Sequence, residues 1–228
     1  MQSPLSPLAQ DIISAGSYTA LVAPSNTPDP ASKLLASITP DQLLSAPVRS
    51  YPHAFAMLSG LWLWHDALHE CHEIAQKSPE DLHASARNPH GKGSKMAQNV
   101  RPMETMQNDK SLNPQRLQDA IASLSFWHAI MHRREGDFWN SKYWYARCRN
   151  HPALAEIAMH AKPLLATLTD KPLAGRLGRG GWDTDAFVDW VEEVSAGSDP
   201  SNRELAVKLQ RVEWQALFEH CAREAAGR

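Results

Sequence analysis

The sequence predicts an all-α chain, a single-domain helical bundle with an irregular Pro/Ser-rich segment at 1–50 and a long polar loop at 78–112. Three observations carry this. Apolar residues recur at helical spacing in the longer segments. Alternating runs of β-branched residues are few. Proline, Ser, Asn and Asp stand where helices would begin. The length of 228 residues suits one domain or a domain with a tail, and 43% hydrophobic with 21% charged residues is ordinary for a globular chain.

Residues 1–50 carry Pro24, Pro28, Pro30, Pro40 and Pro47. Two helical pieces are expected there: 6–16, and a short turn after Thr39-Pro40-Asp41, where Pro fits the first helical position. The segment should wrap over the core of 51–228 rather than form one. A strong helix is expected from about Pro52 to Lys77. The loop at 78–112 holds Pro79, Pro89, Gly91, Gly93 and Pro102, and is long enough to act as a lid. A second strong helix should run from Asn113-Pro114 to Glu135, ended by Gly136. An aromatic and basic stretch follows at 137–149, then a helix near 151–169. Gly175 to Gly181 reads as loop. Asp183 or Thr184 can cap a helix to about Ser195. Asp199-Pro200 precedes a last helix, 202–225, with Leu205, Leu209, Val212, Leu217 and Cys221 in register.

Several function classes are disfavoured. The formal net charge of −2 gives no global pull toward nucleic acid or an anionic membrane. The apolar run Ala54 to Trp64 is too short to span a bilayer. The first residues lack a basic, then apolar, leader. Cys71, Cys148 and Cys221 form no C-x-x-C pair, so a reducing cytoplasmic setting is expected. No P-loop ending, no His-Glu-x-x-His and no Gly-x-Ser-x-Gly occurs.

The informative pattern is Trp64-His65-x-x-Leu68-His69-x-x-His72, matched by Trp127-His128-x-x-Met131-His132-x-x-Glu135. Positions i, i+4 and i+7 lie within about 60° of one another on a helix. His65, His69 and His72 should therefore share one face, as should His128, His132 and Glu135. Leu58 and Trp62 lead into the first stripe; Leu117, Ile121 and Leu124 lead into the second. Each polar stripe thus points toward the bundle interior.

Inward polar groups must be paired. A divalent metal between the helices would satisfy several imidazoles at once, with Zn, Fe, Ni or Mn all compatible. A helix rises roughly 10 Å from i to i+7, too far for one ion to hold both ends easily. The preferred set is His69, His72, His128 and His132, with His65 a possible additional ligand. Glu135 would be a fifth ligand or a general base. A metal-free catalytic or ligand-binding cluster, and a structural polar belt, are the alternatives.

The stretch Trp127-His128-x-x-x-His132-Arg133-x-Glu135-x-Asp137-x-x-Asn140-x-x-Tyr143-Trp144 resembles a family of uncharacterised bacterial and fungal proteins. The resemblance extends over 127–151 and, more loosely, 61–76, and implies no activity. From the residues themselves, Arg133, Arg134 and Arg147 could hold an anionic group. Trp139 and Tyr143 could wall a ring-bearing ligand. The expected function is a metal-dependent enzyme acting on a small, anionic or aromatic substrate, by hydrolysis or transfer sooner than by oxygen chemistry. The alternative is a non-catalytic small-molecule binding protein.

Overall fold

The computed structural model describes residues 3–16, 18, 20–23, 32–76, 114–178, 180–197 and 199–228. The expected 78–112 loop and lid, Asn113 and Arg179 lie outside the described residues. The α-helices are α1 (Pro7–Ala15), α2 (Ser32–Leu35), α3 (Tyr51–Trp64), α4 (Leu68–Ala75), α5 (Pro114–Glu135), α6 (Phe138–Tyr145), α7 (Ala153–Thr167), α8 (Lys171–Gly178), α9 (Thr184–Ala196) and α10 (Pro200–Ala225). A 3₁₀ turn covers Pro40–Gln42. Among the described residues, extended pairing is confined to one antiparallel bridge between Leu5 and Leu44. The protein is an all-α single domain, and no described helix is long and apolar enough to cross a membrane.

α3 is the central rod. Pro52 opens it, and residues Pro52 to Leu63 are all buried, so it is apolar around its whole circumference. Gly60 permits close packing: a Cβ there would meet Trp127 Cζ2 of α5 at 2.6 Å. The carbonyl of Gly60 also accepts from Trp214 Nε1 of α10 at 2.8 Å. These contacts join α3, α5 and α10.

The expected continuous helix over 52–77 breaks at His65–Ala67. Asp66 takes the left-handed backbone with φ 57. Arg134 of α5 drives the break. Its Nη1 donates to Leu63 O at 3.0 Å and its Nη2 donates to Asp66 Oδ1, so a buried guanidinium satisfies a carbonyl at the end of α3. The consequence is that His65 does not share a face with His69 and His72.

α5 ends at Gly136, whose φ of 89 suits glycine. Asp137 then caps α6, its side chain accepting from Asn140 N at 3.1 Å. The Gly-rich stretch is also corrected: α8 extends to Gly178, begun by Asp170 accepting from Leu173 N at 2.9 Å. Buried Leu177 supplies the packing that offsets poor glycine propensity. Gly180 and Gly181 keep the turn, with φ 84 and 139. Ile121, read as inward, is exposed.

The N-terminal segment does more than wrap. Ala9, Ile12, Tyr18, Leu21, Leu35, Ile38, Leu43 and Leu44 belong to the same buried cluster as α3 and α10. Ala23 N donates to Arg134 O at 2.8 Å, bringing the segment to the end of α5.

Candidate metal centre

α4, α5 and α6 converge where the histidine stripes were expected to meet. The structure brings His72, His128 and His132 together, with one ring nitrogen of each within 4.8 Å of the others. His128 and His132, one turn apart on α5, stack at 4.8 Å between centroids; His72 of α4 meets them edge-on at 4.7 and 5.6 Å. Trp144 of α6 covers His128, stacked at 3.8 Å.

The partners of each ring decide what the cluster can do. His132 Nδ1 lies 3.1 Å from Glu135 Oε2, and its Nε2 lies 3.0 Å from Asn140 Nδ2. The tautomer that satisfies both has Nδ1–H donating to the carboxylate and Nε2 accepting from the amide. His128 is 2% exposed, and among the described residues neither of its ring nitrogens has a hydrogen-bond partner. Burial, with His132 and His72 beside it, pushes the His128 imidazole down to about 3. Burial also lowers His132, against the pull of Glu135. Both rings are therefore neutral near pH 7, which is the form that ligates metal.

A cleft of about 470 Å³ opens beside the triad, lined by Leu68, His69, His72, Met131, His132 and Glu135, with Ala23 at its edge. His72 and His132 thus face both the cluster and the cleft. Three imidazoles with an open side are a donor set that catalytic zinc sites use, and a carboxylate holding the far N–H of one ligand is the usual outer support. Donors on one ion lie about 3.0–3.4 Å apart, from bond lengths of about 2.1 Å and angles between 90° and 109°. The three ring nitrogens lie within 4.8 Å of one another, and His72 is the half-buried member of the set.

Several expected site residues stand elsewhere. His65 is 1% exposed, with Nε2 3.0 Å from Ile12 O, and it anchors α1 instead of joining the cluster. His69 is exposed on the cleft and is not one of the three clustered histidines. Glu135 sits on the Nδ1 side of His132, so it is not a fifth donor with Nε2.

Arg133 and Arg134 are fully buried and cannot reach a substrate. Arg133 Nη2 donates to Glu213 Oε2 at 2.5 Å, and Tyr145 OH donates to the other carboxylate oxygen at 2.8 Å. Arg134 holds the α3–α4 break, with its guanidinium over Tyr18 at 4.3 Å. Arg147 is exposed but lies 3.7 Å from the Tyr143 ring centre and donates to Tyr143 O. Trp139 is 77% exposed, stacks on Tyr143 at 6.0 Å, and neither lines the cleft.

A second cluster escaped the sequence reading. His53 Nε2 and His220 Nε2 approach Asp119 Oδ2 at 2.9 and 2.7 Å. Ser50 Oγ meets His53 Nδ1 at 2.7 Å. His151 packs edge-on against His220 at 4.7 Å, accepting from Ala153 N and bonded to Ser123 Oγ. The two imidazoles hold the Asp119 carboxyl well below the usual carboxylate range despite its partial burial. Burial pushes His151 down to about 3. The only local hint was Ser50 at helical spacing before His53; Asp119 and His220 carried none.

The cysteines are not nucleophiles. All three are buried and free, and burial pushes Cys71 and Cys221 up to about 12. No protein-family model matches the chain, and no curated protein or solved structure shows significant similarity to it. The signature at 127–144 is thus a resemblance in residues alone.

Proposed function

We propose that the protein is a metal-dependent enzyme of the helical-bundle type, with a divalent ion held by His72, His128 and His132. The observation that carries this reading is His128: a buried imidazole with two orphaned nitrogens costs stability unless something binds it. A bound Zn, Fe, Ni or Mn ion supplies Lewis-acid polarisation of a substrate oxygen, or an activated water near neutral pH.

The chain's own residues supply the rest. Glu135 fixes the His132 tautomer and, being about half exposed on the cleft, is also the carboxylate placed to take a proton from the reacting group. Trp144 shields His128 from water. Leu68 and Met131 give the cleft an apolar wall, suited to a small substrate whose polar end faces the histidines. Arg147, Trp139 and Tyr143 stand outside that cleft, and Arg133 and Arg134 beneath the surface, so among the described residues no guanidinium lines the cleft for an anionic substrate.

A metal-free binding pocket is the competing reading, because an organic ligand could also occupy the His128 nitrogens. Elemental analysis of untagged protein separates the two. The expected result is one ion per chain, lost in His128→Ala and in His132→Ala and kept in His65→Ala. A chain without ion, whose melting is unmoved by added Zn²⁺ or Mn²⁺, would remove the metal reading.

A further inference from the structure

Asn140 stands on the one side of His132 that a metal would need. Its Nδ2 lies 3.0 Å from His132 Nε2, while Glu135 takes the opposite nitrogen. A separation of about 3.0 Å is that of a hydrogen bond, and it is also the separation of two neighbouring donors on one ion.

The backbone around Asn140 is fixed from both directions. Asp137 Oδ1 accepts from Asn140 N at 3.1 Å. The next residue, Ser141, is fully buried and donates its Oγ–H to Ala129 O of α5 at 2.8 Å. The start of α6 is thereby pinned to α5 one turn before His132. The Asn140 amide can still turn about its Cβ–Cγ bond without moving the main chain.

We infer that Asn140 is a fourth protein donor of the His72–His128–His132 site, its amide turning from an N–H plug on His132 Nε2 to a carbonyl contact with the ion. This rests on the metal reading of that triad. The chemistry requires the turn. Once the His132 lone pair is given to a cation, an N–H aimed at the same point meets positive charge, and the amide oxygen meets it favourably. A neutral, hard oxygen beside three imidazoles leaves the site with the ion's full charge. It also widens metal choice from zinc toward iron and manganese, which accept oxygen donors readily. The plug accounts for a second feature: of the two stacked histidines on α5, only His128 has orphaned nitrogens.

The test is Co²⁺ titration of the full, untagged chain, read by the visible d–d bands of the bound ion and by affinity. Asn140→Ala is expected to weaken binding at least about 10-fold and to change the band shape, because one oxygen donor is lost. Asn140→Asp should bind at least as tightly as the natural chain and shift the bands differently. Metal-free melting of each variant checks that folding is unchanged. Identical bands and affinity in Asn140→Ala, or tighter binding there, would overturn the donor role. Loss of cobalt in His128→Phe would in that case leave the metal reading standing. No cobalt binding by the natural chain would remove the triad site and the inference together.

Discussion

Among its described residues the protein has two buried histidine clusters, and they are built on opposite principles. In the first, His53 and His220 donate to one carboxylate, Asp119, while Ser50 and Ser123 occupy ring nitrogens of His53 and His151. It is a closed network joining α3, α5 and α10. In the second, His128 is equally buried and has nothing on either nitrogen. The first cluster holds helices together. The second leaves a binding capacity unspent beside a cleft. Histidine content is thus no guide to function; the state of the ring nitrogens is.

The largest expected effect comes from removing the shared acceptor of the closed cluster. Asp119→Ala leaves two buried N–H groups unpaired, at about 1–3 kcal/mol each. Urea denaturation should show that loss, with metal content unchanged. Equal ion loss in this variant would blur the distinction between the clusters.

The same substitution should have opposite signs in the two places. His220→Phe should destabilise by about 1–3 kcal/mol, because Asp119 loses a donor. His128→Phe keeps a ring against Trp144 and deletes two orphaned nitrogens. The metal-free protein should then be as stable as the natural chain or slightly more so, and it should bind no ion. A marked loss of metal-free stability would show that His128 has a structural partner.

Acid sharpens the contrast next. His151 sits near 3 when folded and at its ordinary value of 6.5 when unfolded. Between those values the unfolded chain takes up the proton and the folded chain does not, so stability falls as pH drops below 6.5 and is unaffected above it. The His128→Phe background removes one other depressed imidazole and leaves His132, which burial also lowers against the pull of Glu135. There, about 1–2 kcal/mol should be lost between pH 7.5 and pH 5, measured by urea midpoints. Asp119, held low, adds its loss only further down, below the ordinary carboxylate range. A flat profile would refute the neutral state of His151.

The smallest effect belongs to the exposed aromatic pair. Trp139→Ala should change stability by no more than about 0.5 kcal/mol and leave ion content unaltered. Ion loss in this variant would mean that α6 positions Asn140 and Trp144 through its outer face as well.

The legible parts of the site were local ones. His128, His132 and Glu135 share a helix face because 3.6 residues per turn puts them there, and that face is seen. Asp183 caps α9, one of the two caps its sequence offered, whereas α10 begins at Pro200, before the expected 202, with Asp199 as its cap. His65 misled because the helix carrying it breaks, and the break depends on Arg134 from a distant segment. Arg133 and Arg134 read as holders of an anionic group because their true partners, Glu213 and Asp66, are remote in sequence.

Local periodicity and capping chemistry alone thus determined the helical class, most helix starts and the histidine face of α5, since these depend on residues within a turn or two of each other. Tertiary structure decided which imidazoles meet, which are satisfied and which arginines are buried. Those outcomes depend on contacts between chain segments far apart, where a buried polar group takes whatever partner packing brings to it, and no spacing rule encodes that partner.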